Sequence, residues 1–214
     1  MSIVLQGSTS GSITLQEPAV AGSTVLDLPA TSGTILSSAS TLAGNQAATV
    51  LISTATVSGT VANIEIDFDT ATYKNYIIYW EGIQGTADFN MFARAKISGS
   101  YDTGSNYSSQ HIKKYSTGFD SSTYGGGGQT QFYLSHNVGA DTFENWNCIM
   151  DINLGTGTGM PMIRFSCAYK DDFGVYVGNF GILNHQNFSV LQGLRLYPST
   201  GSFDTGRYTV YGVK

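Results

Sequence analysis

The feature that most constrains the fold of this chain is the distribution of its aromatic residues. All 26 Phe, Trp and Tyr residues lie at or beyond Phe68, and residues 1–60 hold only two charged residues, Glu17 and Asp27. Aromatic side chains bury large areas and dominate the energetics of a core. Residues 61–214 can therefore build a core of their own, whereas residues 1–60 cannot. We predict a domain boundary at residue 60, between an N-terminal small-residue β segment and a C-terminal folded body.

The N-terminal segment contains short β-forming runs that end at prolines. Residues 11–30 read GSITLQEPAVAGSTVLDLPA and nearly repeat at a shift of eleven, so that a run at 13–15 ends before Pro18 and a run at 25–28 before Pro29. Proline closes each run because it has no N–H to donate to a neighbouring strand. We predict that these strands pair with another subunit or lie along another protein. The alternative is a flexible Ser/Thr-rich leader.

The C-terminal region shows the period-two alternation of β-strands. Ile64, Ile66 and Phe68 alternate with polar residues, and no stretch of ten residues has a convincing helical period with caps. We therefore predict an all-β fold: an antiparallel, jelly-roll-like β-sandwich preceded by the extended N-terminal strand segment. The last two predicted strands are expected to form a terminal hairpin. The nine predicted strands are 64–68, 76–80, 89–97, 129–135, 145–154, 162–169, 175–183, 189–197 and 207–213.

The two cysteines of the chain are predicted to face each other. If residues 146–154 and 161–169 form a symmetric hairpin, Cys148 lies opposite Cys167. Opposed residues of antiparallel strands have Cα atoms about 4.5 to 5.5 Å apart, which is compatible with a disulfide. We expect two reduced, buried thiols, because free cysteine packs as a small core residue. A disulfide is the alternative.

Charge and composition argue against several classes of protein. The net charge is −5 and the ten Lys and Arg residues are scattered, so the chain lacks the basic clusters that neutralise nucleic-acid phosphates. No apolar run is long enough to span a bilayer, and the first residues lack the basic and apolar segments of a signal peptide. We predict no nucleic-acid partner, no membrane insertion and no Sec export.

Two Asp-Thr-Gly triplets, which begin at Asp102 and Asp204, resemble the active-site phrase of aspartic peptidases. Those enzymes need two close carboxylates that share a proton. Each triplet here follows a Gly-Ser-aromatic sequence, which is typical of turns. We therefore predict that both triplets close hairpins, with the Asp accepting from backbone N–H groups and the Gly at positive φ. An aspartic peptidase remains an alternative, but we expect no enzyme.

Other motifs favour structure over chemistry. The glycine-rich stretches 125–128 and 155–159 precede neither a Lys-Ser/Thr pair nor a helical segment that could hold a phosphate. His111, His136 and His185 are too widely spaced in the sequence for a recognisable metal-binding motif. We predict that the protein binds no cofactor and no metal.

Several segments resemble surface proteins of tailed bacteriophages. The N-terminal stretch GSITLQEPAVAGSTVLDLPATSGTIL resembles the Gly/Ser-punctuated strands, ending in a Leu-Pro-Ala-x-x-Gly-Thr phrase, of tail-fibre and other virion surface proteins. The later region resembles the β-sandwich domains of the same virion proteins. The segments that carry this second resemblance are 73–76, 99–104 and 201–206, together with Tyr211 and Gly212.

The resemblance implies a non-enzymatic structural protein of the virion, assembled in the host cytoplasm and commonly homotrimeric. Its N-terminal part would dock to the major capsid or tail protein, and its C-terminal domain would face outward, as in a head decoration protein, a spike or a short fibre. The alternative is the tip of a fibre that binds a host receptor or glycan. In that case Tyr115, Phe119 and Tyr124 of the long loop 115–129 are the predicted ligand-binding residues.

Overall fold

A computed structural model describes residues 2–6, 12–16, 49–116, 118–120, 127–187 and 189–214, with the backbone alone in 2–6, 12–16 and 118–120. The chain divides into two compact units, Met1–Gly44 and Asn45–Lys214. The described ranges contain no helix, and hence none that is long and apolar enough to cross a bilayer.

In the first unit, β1 (Ser2–Gln6) and β2 (Ser12–Gln16) form an antiparallel hairpin in which Ile3 lies opposite Leu15. The predicted strand at 13–15 is therefore confirmed, and its described partner belongs to the same chain. The second predicted run, 25–28, lies outside the described residues. Pairing of this unit with another subunit or protein stays a prediction.

The described residues of the second unit form thirteen strands in two antiparallel sheets. The smaller sheet has the order β10-β6-β14-β4, with β7 beside the end of β6, and the larger sheet has the order β3-β15-β5-β11-β12-β13-β8-β9. In chain order the strands are β3 (Thr49–Val61), β4 (Ile64–Asp67), β5 (Asn75–Gly85), β6 (Phe89–Ile97), β7 (Ser100–Tyr101), β8 (Tyr107–Tyr115), β9 (Gly118–Asp120), β10 (Phe132–Val138), β11 (Trp146–Asn153), β12 (Met162–Lys170), β13 (Tyr176–His185), β14 (Gly193–Pro198) and β15 (Phe203–Val213).

The two sheets of the second unit pack face to face. The ring of Phe89 on the smaller sheet meets the ring of Phe203 on the larger one, with centroids 6.0 Å apart. The Asn179 side-chain amide also crosses between the sheets and donates to the backbone carbonyl of Leu134 at 2.6 Å. Side chains alternate between this buried interface and solvent along the strands, as in a β-sandwich. The predicted all-β antiparallel fold is confirmed, and the jelly-roll-like connection stays a prediction.

All nine predicted strands are present, but the predicted terminal hairpin is wrong. β14 pairs with β4 and β6, whereas β15 pairs with β3 and β5, so the two strands belong to different sheets. The chain changes sheets between them at residues 199–202, where Gly201 has a φ of +66°. A glycine adopts this conformation readily, which allows a sharp change of direction where a hairpin was expected.

The domain boundary also differs from the predicted position. β3 begins at Thr49 and pairs with β15 along its whole length, so this strand belongs to the second unit, which starts at Asn45. As a strand at the end of the sheet order, β3 fully buries only Val57. It needs no aromatic residue, and the onset of aromatic residues therefore placed the boundary too late.

The predicted opposition of the two cysteines is confirmed. Cys148 on β11 is the direct partner of Cys167 on β12, and both are free and buried. The Sγ atoms lie 2.8 Å apart, with Cys167 donating to Cys148. Burial raises the pKa of the Cys167 thiol, which favours its neutral form.

Candidate ligand-binding groove

A groove crosses the outer face of the larger sheet, the face turned away from the core. Its floor is formed by Ala168 on β12 and Gly178 on β13, which are direct cross-strand partners. Asn147 and Lys114 continue the same row on the two flanking strands. Because Ala168 and Gly178 have the smallest side chains of the row, the sheet surface is lowest between Asn147 and Lys114.

Two aromatic side chains on β13 form the walls of this groove. Tyr176 and Phe180 lie two residues before and after Gly178, so strand alternation places all three on the outer face. The two aromatic side chains are 70% and 56% exposed. Four residues of strand separate their Cα atoms by about 13 Å. The groove has a volume of about 530 Å³, within the range of roughly 300 to 1,000 Å³ that is common for ligand sites.

A third aromatic side chain, Phe143, projects from the loop before β11 and also lines the groove. It is 84% exposed and has a φ of +71°, a left-handed backbone conformation that is an outlier for a bulky residue. The loop is nonetheless well anchored. The Gln84 amide donates to the carbonyls of Ala140 and Asp141 at 3.1 and 3.0 Å, and the Glu144 N–H donates to Asp141 O at 2.9 Å. The fold thus holds an exposed aromatic ring in place at a cost in backbone strain.

Side-chain amides border the groove beside the loop. Asn147 Nδ2 donates to Asn145 Oδ1 at 2.8 Å, and Asn147 Oδ1 accepts from the Gly82 N–H at 2.8 Å. These two bonds fix the orientation of the Asn147 amide. Asn145 and Asn147 therefore offer polar groups at a defined position next to the aromatic walls.

The charges that line the groove are positive. Lys114 and Lys170 both line it, and its lining residues, all of which the structure describes, include no Asp or Glu. The chain as a whole has 15 acidic and 10 basic residues. The Lys170 ammonium lies 5.9 Å from the centroid of the Tyr176 ring, within cation–π distance. The nearby Glu144 side chain is buried beneath the loop.

Of the three ligand-binding residues predicted from the sequence, the structure brings Tyr115 to this groove. Phe119 lies on β9 opposite Lys114, and its side chain is not described. Tyr124 lies outside the described residues. The sequence analysis missed Phe143, Tyr176 and Phe180. One signal for the last two was Gly178 inside a predicted strand, since glycine within a strand often marks a site of close approach.

Asp102 is held by three hydrogen bonds in the loop after β7. Its carboxylate accepts from the Gly104 N–H, from Asn106 Nδ2 and from His185 Nε2, each at 2.8 Å. Burial opposes ionisation of this carboxyl, but the hydrogen bonds from Asn106, Gly104 and His185 outweigh it and hold the pKa of Asp102 below its ordinary value. The predicted bond from the Asp to a backbone N–H is confirmed for this triplet. The predicted hairpin and the predicted positive φ are wrong, because the triplet connects β7 of the smaller sheet to β8 of the larger one and Gly104 is not at positive φ.

The second triplet also differs from the prediction. Asp204 lies inside β15 and is exposed, so the triplet does not close a hairpin. The pairing of β15 shifts register here, as at a β-bulge, and Gly206 has a φ of +129°, a conformation that glycine adopts readily. The described hydrogen bonds of the Asp102 carboxylate are to Gly104, Asn106 and His185, and none of them is to Asp204.

A cluster of basic side chains, two buried and one half-buried, lies between the sheets. His111 and Lys113 are buried on β8, and the His136 ring on β10 lies 6.0 Å from that of His111. Burial lowers the pKa of both histidines to about 4, and the Lys113 ammonium adds to the effect. Both rings are therefore neutral near pH 7. Within the described ranges, no three His, Cys, Asp or Glu side chains are placed to hold a metal ion.

Comparison with known protein families, curated proteins and solved structures finds no match to this chain. Its function must therefore be inferred from its own residues. His111 is buried and the half-buried Asp102 carboxylate is engaged in three hydrogen bonds, whereas the groove presents aromatic rings, amides and ammonium groups to solvent. The groove is the described site best suited to contact a ligand.

Replacement of Phe143 by glycine should raise the free energy of unfolding by about 1 kcal/mol, because glycine adopts the left-handed conformation without a Cβ clash. Urea denaturation measures this change. Phe143→Ala is the matched control, since it removes the ring but keeps the Cβ. An equal gain from both variants would show that exposure of the ring, and not backbone strain, limits stability at this position.

Proposed function

We propose that this protein is a non-enzymatic structural protein on the surface of a bacteriophage particle, as a head decoration protein, a spike or a short fibre. Its N-terminal unit docks to the capsid or tail, and its C-terminal sandwich faces outward. The observation that carries this proposal is the division of the chain into two units of different composition. The resemblance of the sequence to virion surface proteins supports the same assignment.

The second unit has what it needs to fold without the first. The largest buried side chains of the described residues, which include Trp80, Trp146 and Tyr76, all lie within it. The first unit has no aromatic residue, and its described hairpin joins two strands of five residues. An isolated two-stranded hairpin is marginally stable in water, so this unit gains most from binding to other protein surface. Strand pairing along its edges is one way to bind.

Association between copies is also part of the proposal. β3 stands at the end of the larger sheet's order and is thirteen residues long without a single charged residue. Leu51 and Ile52, near its start, are 58% and 42% exposed. Long edge strands without charges favour pairing with another chain. The homotrimer implied by the sequence resemblance stays a prediction.

Deletion of residues 1–44 should leave a cooperatively folded sandwich that no longer attaches to particles. We expect the number of copies per particle to fall at least tenfold, because the docking surface is lost while the second unit keeps its core. Quantitative mass spectrometry of purified particles measures copy number, and thermal unfolding followed by circular dichroism reports on folding.

A variant in which residues 1–44 are replaced by a Gly/Ser linker of the same length is the control for this deletion. It keeps the length of the chain but cannot form strands with apolar residues. Attachment of this variant at the wild-type level would contradict docking by the N-terminal unit and favour a flexible leader. Copy number also separates a decoration protein, which is abundant, from a fibre, which is scarce.

A second candidate function is binding of a host receptor or glycan by the sandwich. The groove lined by Phe143, Tyr176 and Phe180 favours it, because monomeric proteins rarely leave several adjacent aromatic rings exposed without a role in binding. In this case free protein should block adsorption of particles to host cells. The two functions are compatible, since one uses the N-terminal unit and the other the outer face of the sandwich.

A further inference from the structure

We propose that the groove between Tyr176, Phe180 and Phe143 binds an acidic saccharide, a short run of sugar rings that carries at least one carboxylate. This inference rests on the receptor-binding function proposed for the sandwich and names the chemical class of its ligand. Of the three residues that the sequence predicted, Tyr115 lines this site.

The geometry of the groove fits sugar rings. Tyr176 and Phe180 stand at either end of the Gly178 floor, with backbone positions about 13 Å apart, which leaves room for more than one ring. The site is open, and its rings are 56% to 84% exposed. A purely apolar ligand binds more favourably in an enclosed pocket, where most of its surface is removed from water. A sugar instead places its C–H face on an aromatic ring and directs its hydroxyls to water and to neighbouring amides.

Polar groups are present where those hydroxyls would lie. The Asn147 amide is fixed by its bonds to Asn145 and Gly82, so its orientation is set before a ligand arrives. The loop that carries Phe143 is likewise anchored through Gln84. Such preorganisation lowers the entropy cost of binding.

The charge of the groove selects for an acidic ligand. Lys114 lies on β8 beside the floor and Lys170 lies at the end of the floor strand β12, and the lining residues include no carboxylate. In a chain with a net charge of −5, such a site is a local exception. A carboxylate on the sugar would form charge-assisted hydrogen bonds with these ammonium groups. Because the lysines are close to solvent, this part of the affinity should weaken as salt is raised.

An acidic peptide is a weaker fit to the same surface. Extended peptides commonly bind by adding a strand to a sheet edge, where backbone N–H and C=O groups are available. The floor strands β12 and β13 are each paired on both sides, β12 with β11 and β13, and β13 with β12 and β8. Their backbone groups are already used within the sheet. A ligand in the groove can therefore contact side chains but cannot pair with the backbone of these two strands.

The test uses the full-length protein and an array of bacterial oligosaccharides that contain uronic, nonulosonic or 3-deoxy-octulosonic acids. Each is printed beside a counterpart in which the carboxyl group is reduced to an alcohol, and acidic peptides are included. We expect binding to at least one acidic member and at least tenfold weaker binding to its reduced counterpart. Isothermal titration with that member in solution then gives the affinity of each variant.

Two pairs of variants locate the site. Ala168→Tyr fills the floor and should weaken binding at least tenfold, whereas Met162→Tyr, on the same strand and the same face but outside the groove, should not change it. The double variant Lys114→Gln, Lys170→Gln should weaken binding to the acidic sugar at least tenfold, whereas Lys74→Gln should leave it unchanged. Unchanged thermal midpoints of these surface variants show that each is folded.

The possible failures can be told apart. Equal binding to acidic and reduced members would overturn the acidic specificity and leave receptor binding by the groove in place. Acidic binding that survives Ala168→Tyr would place the site elsewhere. Binding to no oligosaccharide, or to acidic peptides in their place, would overturn the saccharide proposal, and failure of the free protein to block adsorption would remove the receptor-binding function itself.

Discussion

Replacement of Trp80 by alanine should lower the free energy of unfolding by about 4 kcal/mol, the usual cost of removing a buried tryptophan. Trp80 is 1% exposed on the inner face of β5 and contacts the rings of Trp146 and Tyr208, with centroids 6.3 and 5.2 Å away. Folded domains are stable by about 5 to 15 kcal/mol in total, so this single change removes much of the margin. Urea denaturation followed by far-ultraviolet circular dichroism measures it.

Tyr79→Ala is the matched control, since it changes the adjacent residue on the opposite face of the same strand. Tyr79 is 39% exposed, and its described ring contact is an edge-to-face pair with Tyr211. We expect this variant to cost about 1 kcal/mol. Similar losses from both variants would mean that the face assignment of β5, and with it the position of the core, is wrong.

The sequence predicted those strands whose apolar residues face the core. Ile64 and Ile66 are both buried on β4, as their alternation indicates, and the predicted bounds of β6 agree with the structure. A period-two pattern reports directly on burial of one face of a sheet. Strands that contribute large alternating side chains to the core can therefore be found without knowledge of their partners.

β8 shows why other strands were missed. Its inward residues include Ser109, His111 and Lys113, which are buried, while Ile112 between them is 56% exposed. The apolar residue is thus on the solvent side and the polar residues are on the core side, so the hydrophobic pattern gives no usable signal. Long-range contacts stabilise these polar groups, as when Ser109 Oγ accepts from the Tyr133 N–H at 3.0 Å. A sequence does not show such contacts.

The groove could not have been assembled from the sequence for a related reason. Lys114, Asn147, Ala168 and Gly178 are neighbours only because β8, β13, β12 and β11 lie side by side in the sheet. The lateral order of strands depends on pairing between distant segments, and turn and strand patterns do not report it. The sequence analysis found Tyr115, which it assigned to a loop rich in aromatic residues and which the structure places at the end of β8. It missed the walls that are built by β13.

Replacement of Asp102 by asparagine should lower the free energy of unfolding at pH 7 by about 3 kcal/mol, because hydrogen bonds to a charged group are strong and a buried partner is left without its acceptor. The asparagine NH₂ group would face the N–H groups of His185 and Asn106, of which His185 is fully buried. Asp204→Asn is the matched control from the other Asp-Thr-Gly triplet. Asp204 is exposed on β15, so its change should stay within about 0.5 kcal/mol.

The effect of Asp102→Asn should depend on pH in one direction. Hydrogen bonding holds the pKa of Asp102 in the folded protein below its ordinary value of about 4. The stability that this carboxylate contributes is therefore present above pH 4 and is lost as the pH falls through the lowered pKa. Urea denaturation between pH 7 and pH 2.5 should show that the difference in unfolding free energy between wild type and variant shrinks in acid, since the asparagine does not titrate.

Equal losses of stability from Asp102→Asn and Asp204→Asn, each with loss of a peptidase activity, would instead require the paired carboxylates of an aspartic peptidase. Unequal losses and a difference that fades in acid are expected if Asp102 anchors the loop after β7 and Asp204 only marks a bulge on a solvent-facing strand.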